Sequence, residues 1–289
     1  MTETIPPKPL RMNRQHEYDR RPDRFGFDGC IYCNQHQPNP LTLEHIIPEG
    51  LGGALTIPKA SCDECANETH AFEGHAMNMM RPVRRQLNFP QKRRGARGRE
   101  KRKEERFILQ LDHGKAKVPI EEFPPLLLSL VYPLPGILLH QKPEDKPLTG
   151  GVYSAEVLEG FGEKLNRIRT RFRASRIGIM GVEPTRHADE GDYGRMLAKI
   201  AHAYACAELG CGNFRPFLVQ IIRGIKPYYL PYFIGSALGK SQPPLEDLHH
   251  IEIDQAGLGL GRFIVVKIRL FANRSTPTHY VVVGEKLIP

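Results

Sequence analysis

The chain has 289 residues, of which 40% are hydrophobic, so it is long enough for one large domain or two ordinary ones with a substantial core. Its formal net charge of +9 favours a polyanionic partner such as nucleic acid. Six cysteines are too few for a secreted disulfide scaffold of this length. Because there is neither a signal-like apolar start nor an apolar run of about 18 residues, we expect no membrane span and a cytoplasmic protein.

Four of the six cysteines form two matched pairs. Cys30 and Cys33 lie in CIYC, and Cys62 and Cys65 lie in CDEC. Each Cys-x-x-Cys pair places two sulfurs on one tight turn, and two such turns can close around a tetrahedral ion. The spacing predicts a structural zinc site. The alternatives are four unrelated buried cysteines or two redox pairs.

The loop between the two pairs carries an adjacent Glu44 and His45. The alternating run LTLEH, residues 41–45, predicts a strand that ends at this pair. Pro48 and Gly50 interrupt the strand, and Gly52 and Gly53 predict a tight turn.

A helix is predicted to begin at the second cysteine pair. Ser61 followed three residues later by Glu64 fits a capping box, with Ser61 as the N-cap. We therefore expect two strands and a helix around a metal.

The ordered motifs CIYC, LTLEHIIPEGLGG and CDEC resemble the HNH (ββα-metal) endonucleases, in the subgroup with a four-cysteine structural zinc. The resemblance covers roughly residues 28–75. It implies that His45 is the general base and that Glu44 is the acidic ligand of a catalytic divalent ion. It also implies that a residue of the following helix, for which His70 is the candidate, completes this second metal site. The implied cofactors are structural Zn²⁺ and catalytic Mg²⁺ or Mn²⁺.

The sequence departs from the family pattern at two places. Ala66 follows the second cysteine pair, where the family often has Asn or His, and His70 lies on nearly the same helical face. Asn67 is a weaker candidate, and Glu73 is an additional one. The family's central Asn, which orients the base through the backbone, is absent, and residues 57–59 (Ile-Pro-Lys) stand in its place.

General chemistry supports these roles independently of the resemblance. Hydrolysis of a phosphodiester needs a water molecule that is deprotonated near neutral pH, and imidazole has a suitable pKa for that step. The reaction also needs a cation to stabilise the developing negative charge on the phosphate.

Residues 81–106 concentrate the positive charge, with twelve Lys or Arg against three Glu. Guanidinium groups match phosphate oxygens, so this basic linker suits nucleic-acid contact, although a solvated linker is the alternative and is compatible with it. The candidate phosphate-contacting residues are Arg84, Arg85, Lys92, Arg93, Arg94, Arg97 and Arg99.

The remainder of the chain predicts an α+β domain without a recognisable activity. We expect a β-hairpin over residues 106–120 and helices over 154–173 and 192–210. A further helix is predicted to begin at Pro216, and three β-branched runs between residues 249 and 287 predict an antiparallel meander. His202 and Cys206 are four residues apart, and core packing is preferred over a metal site for them; Cys206 and Cys211 are interpreted as buried thiols.

Together these features predict an α+β protein with an N-terminal zinc-stabilised ββα-metal (HNH) module and a C-terminal α+β domain with helices and a meander. The predicted divisions are a flexible basic arm (1–27), the HNH module (28–80), the basic linker (81–106) and the α+β domain (107–289).

The predicted function is metal-dependent hydrolysis of nucleic acid, with DNA as the expected substrate. A non-catalytic zinc-stabilised nucleic-acid-binding module and a protein-interaction scaffold are the alternatives. The C-terminal domain is the candidate surface for a homodimer or a protein partner.

Overall fold

The computed structural model describes residues 16–18, 28–35, 40–87, 89, 106–119, 121–143, 152–183, 190–237, 242–254 and 263–287. Most of the predicted basic arm and most of the predicted basic linker lie outside these segments.

The first sheet contains the Glu44–His45 pair. β2 (Thr42–His45) and β3 (Leu55–Ser61) are antiparallel neighbours, and β1 (His16–Glu17) runs parallel to β3 on its other side. Helix α1 (Asp63–Met79) follows β3, and α2 (Arg81–Gln86) follows α1. The predicted strand and the predicted helix are therefore confirmed, and we call residues 42–79 the β2–β3–α1 unit.

The turn between β2 and β3 is packed too closely for any residue but glycine at position 53. A short 3-10 helix (Glu49–Leu51) ends at Gly52, whose φ of 83° lies in the left-handed region. A Cβ atom on Gly53 would lie 1.9 Å from the carbonyl oxygen of Ile47. The tight turn predicted from the glycines is thus confirmed, and its backbone segments are in direct contact.

The predicted capping box at the start of α1 is wrong. Cys62 is the N-cap residue, and no side chain caps the helix. Ser61 still belongs to β3, where its hydroxyl lies 3.1 Å from the hydroxyl of Thr42. The residues that start α1 are set by the strand and by the cysteine pair rather than by a local cap.

The middle of the chain forms two smaller sheets. The predicted hairpin is confirmed as β4 (Arg106–Leu111) and β5 (Gly114–Pro119), and β8 (Ile177–Glu183) pairs with the other edge of β4. β6 (Leu126–Val131) and β7 (Val152–Val157) form an antiparallel pair, followed by α3 (Phe161–Phe172). The helix predicted from residue 154 was wrong in its first part, because β7 occupies that stretch and the helix begins after Gly160.

The C-terminal part combines one long helix with a five-stranded sheet. Helix α4 (Glu190–Leu209) confirms the second predicted helix. The predicted meander is confirmed as three antiparallel strands. They are β11 (His250–Asp254), β12 (Phe263–Arg269) and β13 (His279–Lys286).

Two short strands and two short helices complete this part of the chain. The strands are β9 (Phe214–Pro216) and β10 (Ile234–Ser236), and both pair with β13. The helices are α5 (Val219–Ile222) and α6 (Leu230–Phe233). Pro216 therefore ends a strand and does not begin a helix. Three further 3-10 segments span Gly136–Leu139, Cys211–Asn213 and Pro227–Tyr229.

One hydrophobic core connects the β2–β3–α1 unit with the C-terminal part. It contains Ile46 and Phe72 from the first unit, Met196 from α4 and Val281 from β13, and α1 packs along α4. The division of the chain at residues 80 and 107 stays a prediction, and the two predicted parts share this core.

Two further observations concern the long helix and its neighbours. Cys206 and Cys211 are joined by a disulfide, so their interpretation as separate thiols was wrong, whereas His202 is buried in the core as expected.

None of the helices in the described part of the chain has the length and apolar character needed to span a bilayer.

Candidate metal centre and the Glu44–His45 site

The four paired cysteines converge on one point beside β3 and the start of α1. Their four Sγ atoms all lie within 4.8 Å of one another, and the Sγ atoms of Cys33 and Cys62 are 3.8 Å apart. A tetrahedral zinc with Zn–S bonds of about 2.3 Å requires sulfur–sulfur separations of about 3.8 Å. The cluster therefore has the dimensions of a zinc site, which confirms the predicted ligand grouping. Its members are Cys30, Cys33, Cys62 and Cys65.

The sulfurs are close enough to change each other's protonation. Hydrogen bonding by the thiol of Cys65 lowers the pKa of Cys30 to about 5, and the backbone N–H of Tyr32 donates to the same sulfur. Burial raises the pKa of Cys33 to about 11, and the hydrogen bond to Cys30 raises the pKa of Cys65. The cluster thus favours the thiolate, the form that binds zinc, at Cys30, whereas Cys33 and Cys65 favour the neutral thiol.

Glu44 and His45 lie on opposite faces of β2, because successive strand residues alternate. Glu44 is opposite Ile57 and only 5% exposed, whereas His45 is opposite Thr56 and half-buried. Ile57, one of the three residues that stand in place of the family's central Asn, is fully buried and contributes packing.

The carboxylate of Glu44 is bound by Lys199, a residue of α4. Nζ of Lys199 forms ion pairs with Oε1 of Glu44 and, at 2.8 Å, with Oε1 of Glu73. It also donates a hydrogen bond to the carbonyl oxygen of His45 and lies 3.4 Å from that of Ile46. Lys199 is 2% exposed and Glu73 is 6% exposed, so this cluster of charges is enclosed by protein.

The pKa shifts agree with a charged lysine in this cluster. Burial alone would lower the pKa of Lys199, but the two carboxylates outweigh it and the pKa is raised. Burial raises the pKa of Glu73 despite its pairing with Lys199, so Glu73 keeps a proton to higher pH than an ordinary glutamate. The hydroxyl of Tyr32, buried near both acids, has a raised pKa because of burial and of their charge, and it stays protonated.

The imidazole of His45 has one enclosed nitrogen. Its Nδ1 is buried and has no hydrogen-bond partner among the residues that the structure describes. The ring is half-buried, and the backbone at this residue is held by Lys199 and by pairing with β3.

His70 lies on the exposed side of α1, one turn before Glu73, and its charge acts on that carboxylate. In the described segments, the four cysteines are the one group of three or more His, Cys, Asp and Glu side chains with metal-binding spacing, and neither Glu44 nor His70 belongs to it.

Of the predicted phosphate contacts, Arg84 is the one whose side chain is described. Nε of Arg84 donates a hydrogen bond to the carbonyl oxygen of Gly50, and its partial burial lowers the pKa of its guanidinium. Arg84 therefore supports the β2–β3 turn from α2. Arg85 lies within α2 as well. The other five candidates are outside the described residues: Lys92, Arg93, Arg94, Arg97 and Arg99.

Sequence reasoning missed Lys199 as a site residue, although a signal was present. In the predicted helix, Lys199 follows Met196 by three residues and precedes Ala203 by four, so it occupies the apolar face. A lone lysine on a buried face needs a charged partner, and acidic residues such as Glu44 and Glu73 were already singled out.

The C-terminal part also contacts the turn of the first cysteine pair and the turn between β2 and β3. Nε2 of His202 lies 2.7 Å from the carbonyl oxygen of Ile31, between the first two cysteines. Nε2 of His249 lies 2.7 Å from the carbonyl oxygen of Leu51 in the turn. The zinc-sized cluster and the Glu44–His45 pair are therefore both positioned by residues far away in the sequence.

Comparison with known proteins identifies one segment. Residues 30–80 match the model of a family described as HNH endonuclease. No curated protein and no solved structure matches the chain. The matched residues contain all four clustered cysteines and the Glu44–His45 pair.

Proposed function

From the premise that residues 30–80 are an HNH endonuclease segment, we propose that the chain binds nucleic acid and hydrolyses its phosphodiester bonds. The observation that carries the proposal is that one matched segment contains both a zinc-sized cysteine cluster and the Glu44–His45 pair. DNA is the proposed substrate, and the net charge of +9 supports a polyanionic partner.

Zinc bound by the four cysteines has a structural role in this proposal. Cys30 and Cys33, on the turn that precedes β2, and Cys62 and Cys65, at the start of α1, would hold the ion. Because such sites contribute folding free energy directly, the bound ion would stabilise the position of β2 relative to α1 without taking part in the reaction.

His45 is the proposed general base. Since its Nδ1 is enclosed, we assign proton acceptance from water to Nε2. The family's central Asn, which orients the base through the backbone, is absent here. The hydrogen bond from Lys199 to the carbonyl oxygen of His45 supplies a backbone constraint at the same residue.

The catalytic divalent ion predicted at Glu44 and His70 does not fit the arrangement of these residues. The carboxylate of Glu44 is buried and already paired with the ammonium of Lys199, and His70 lies on the exposed side of α1. The proposed reaction therefore uses no Mg²⁺ or Mn²⁺ bound by Glu44 and His70, and an ion at that place stays a prediction.

The same ion pair favours a second candidate function. If Glu44 serves only to hold Lys199, the segment keeps its zinc-stabilised fold and its basic surroundings without a complete catalytic site. Under this candidate the chain is a non-catalytic nucleic-acid-binding module.

A plasmid assay separates the two candidates. Zinc-loaded protein is incubated with supercoiled DNA, without and with Mg²⁺ or Mn²⁺, beside His45→Ala. The control is His113→Ala, in the exposed turn between β4 and β5. Hydrolysis at His45 predicts nicking by the wild type and the control, and a loss of about 100-fold or more in His45→Ala. Equal nicking by all three proteins would contradict the assigned base.

DNA binding by fluorescence anisotropy completes the test. Both candidates predict that affinity falls steeply between low and high salt, because phosphate contacts release counterions. Salt-sensitive binding without nicking, unchanged in His45→Ala, would support the binding module. Absence of binding at low salt would contradict both candidates.

A further inference from the structure

The surroundings of Nζ of Lys199 resemble a site for a hard cation. Two carboxylate oxygens, from Glu44 and Glu73, and two backbone carbonyl oxygens, from His45 and Ile46, lie around it. Oxygen ligands of this kind are those that Mg²⁺, Mn²⁺ and Ca²⁺ prefer in proteins. The chain therefore contains an oxygen-lined site, and the ammonium of Lys199 occupies it.

The charges at this site leave no place for a second cation. The ammonium of Lys199 already neutralises one of the two carboxylates, and Glu73 has a raised tendency to keep a proton. A divalent ion bound to Glu44 would lie within a few ångströms of this ammonium in a buried, weakly screened environment. Ion and ammonium would repel each other, so one of them has to leave.

The lysine is not free to leave. It is 2% exposed and belongs to the middle of α4, which contacts α1 on one side of Lys199 and the turn of the first cysteine pair on the other. Asp192 lies 2.8 Å from Nδ1 of His75 near the start of the helix, and His202 contacts Ile31 farther along. Withdrawal of the ammonium would require movement of the helix against α1.

We propose that the ammonium of Lys199 is the resident cation of the HNH segment and that it excludes divalent ions from Glu44. This inference concerns cation binding and stands whether or not the chain hydrolyses nucleic acid. Lys199 is thereby a positioning residue, which acts through Glu44, Glu73 and the backbone of His45.

Mn²⁺ titration of the zinc-loaded full-length protein tests the proposal, with free Mn²⁺ measured by electron paramagnetic resonance. Zinc keeps the thiolate site because it outcompetes Mn²⁺ there. The wild type is expected to show no stoichiometric Mn²⁺ site. Lys199→Ala, which removes the ammonium and opens space, is expected to bind one Mn²⁺, and Lys199→Ala/Glu44→Gln is expected to bind it at least tenfold more weakly.

Thermal unfolding supplies a second readout of the same variants. At Mn²⁺ concentrations about 100 times the dissociation constant, the Tm of Lys199→Ala is expected to rise by about 5 °C, with no rise in the wild type. A stoichiometric wild-type site that is lost in Glu44→Gln would overturn the proposal. So would a folded Lys199→Ala protein that gains no Mn²⁺ site.

Chemical labelling tests the proposal on the wild type alone, so it does not depend on whether a variant folds. With an amine-reactive acetylating reagent, Lys199 is expected to stay unlabelled with and without Mn²⁺, while the exposed Lys115 is labelled in both cases. Labelling of Lys199 that appears only with Mn²⁺ would mean that the ion displaces the ammonium, which contradicts the proposal.

These readouts are independent of cleavage. If the wild type binds no Mn²⁺ and also nicks no plasmid, the proposed hydrolysis is refuted, while the proposal that Lys199 is the resident cation is still supported. A wild type that binds Mn²⁺ through Glu44 refutes the resident cation whatever its nuclease activity.

Discussion

Replacement of Lys199 by Met removes a buried charge while keeping most of the volume of the side chain. The carboxylates of Glu44 and Glu73, which are 5% and 6% exposed, would be left without their cation. The carbonyl oxygen of His45 would also lose its lysine donor. Removing one partner of a buried ion pair costs about 3–5 kcal/mol, which is a large part of the ~5–15 kcal/mol by which a typical domain is stable.

Urea unfolding of the zinc-loaded protein measures this loss as a lower midpoint with an unchanged slope. Arg223→Met is the matched control, because Arg223 also pairs with two glutamates, Glu64 and Glu68, each at 3.3 Å, but near the surface. Such an exposed pair contributes only about 0–1 kcal/mol.

A combined variant isolates the charge from the packing. Lys199→Met with Glu44→Gln and Glu73→Gln carries no charge in this buried cluster, so it should recover part of the lost free energy of unfolding. A difference of less than about 1 kcal/mol in the free energy of unfolding between Lys199→Met and Arg223→Met would refute a stabilising role of the buried ion pair.

Three further predictions concern the zinc cluster, the turn and the buried histidines. Cys62→Ser should lower the zinc content below one ion per chain in elemental analysis and destabilise the fold. Cys211→Ser, which lies outside the cluster, should keep the zinc. Equal zinc content in the two variants would contradict Cys62 as a zinc ligand. Gly53→Ala should lower the free energy of unfolding measured in urea, because the added Cβ meets the carbonyl oxygen of Ile47. Gly74→Ala in the middle of α1, where a Cβ meets nothing, should raise it by up to about 1 kcal/mol. Changes of the same sign in the two variants would be inconsistent with this geometry. Burial lowers the pKa of His249 to about 4 and of His279 to about 3, below the ordinary value of 6.5, so the unfolded chain takes up protons first. The free energy of unfolding should therefore fall as the pH drops from about 6.5 towards 4, by up to about 3 kcal/mol per histidine, although Glu73 with its raised pKa acts in the opposite sense. His279→Gln should flatten this fall in pH-dependent urea unfolding, and an unchanged profile would argue against a neutral buried His279.

Local patterns predicted the elements that carry the site. The spacing of the cysteine pairs, the alternation of LTLEH and the glycines before residue 54 each act over a few residues, and the structure confirms the ligand cluster, β2 and the tight turn. The start of α1 was misplaced because Ser61 and Glu64 satisfy a local rule that the strand β3 overrides.

The sequence did not indicate which residue pairs with Glu44. Lys199 lies 154 positions beyond His45 in the sequence, and only the packing of α4 on α1 brings it to the carboxylates. Its placement on the apolar face of a predicted helix indicated burial, but no local pattern specifies which acids a buried lysine meets. The disulfide between Cys206 and Cys211 was missed for a related reason, because it forms where the chain leaves α4 and not within a recognised motif.

Anomalous diffraction from crystals of the zinc-loaded protein grown with Mn²⁺ shows directly which cation lies beside Glu44. Data at the zinc and manganese edges locate both metals in one molecule. We expect a zinc peak among Cys30, Cys33, Cys62 and Cys65 and continuous density for the Lys199 side chain between Glu44 and Glu73, without a manganese peak there. A manganese peak at coordination distance from Glu44, with Lys199 turned away, would contradict Lys199 as the resident cation.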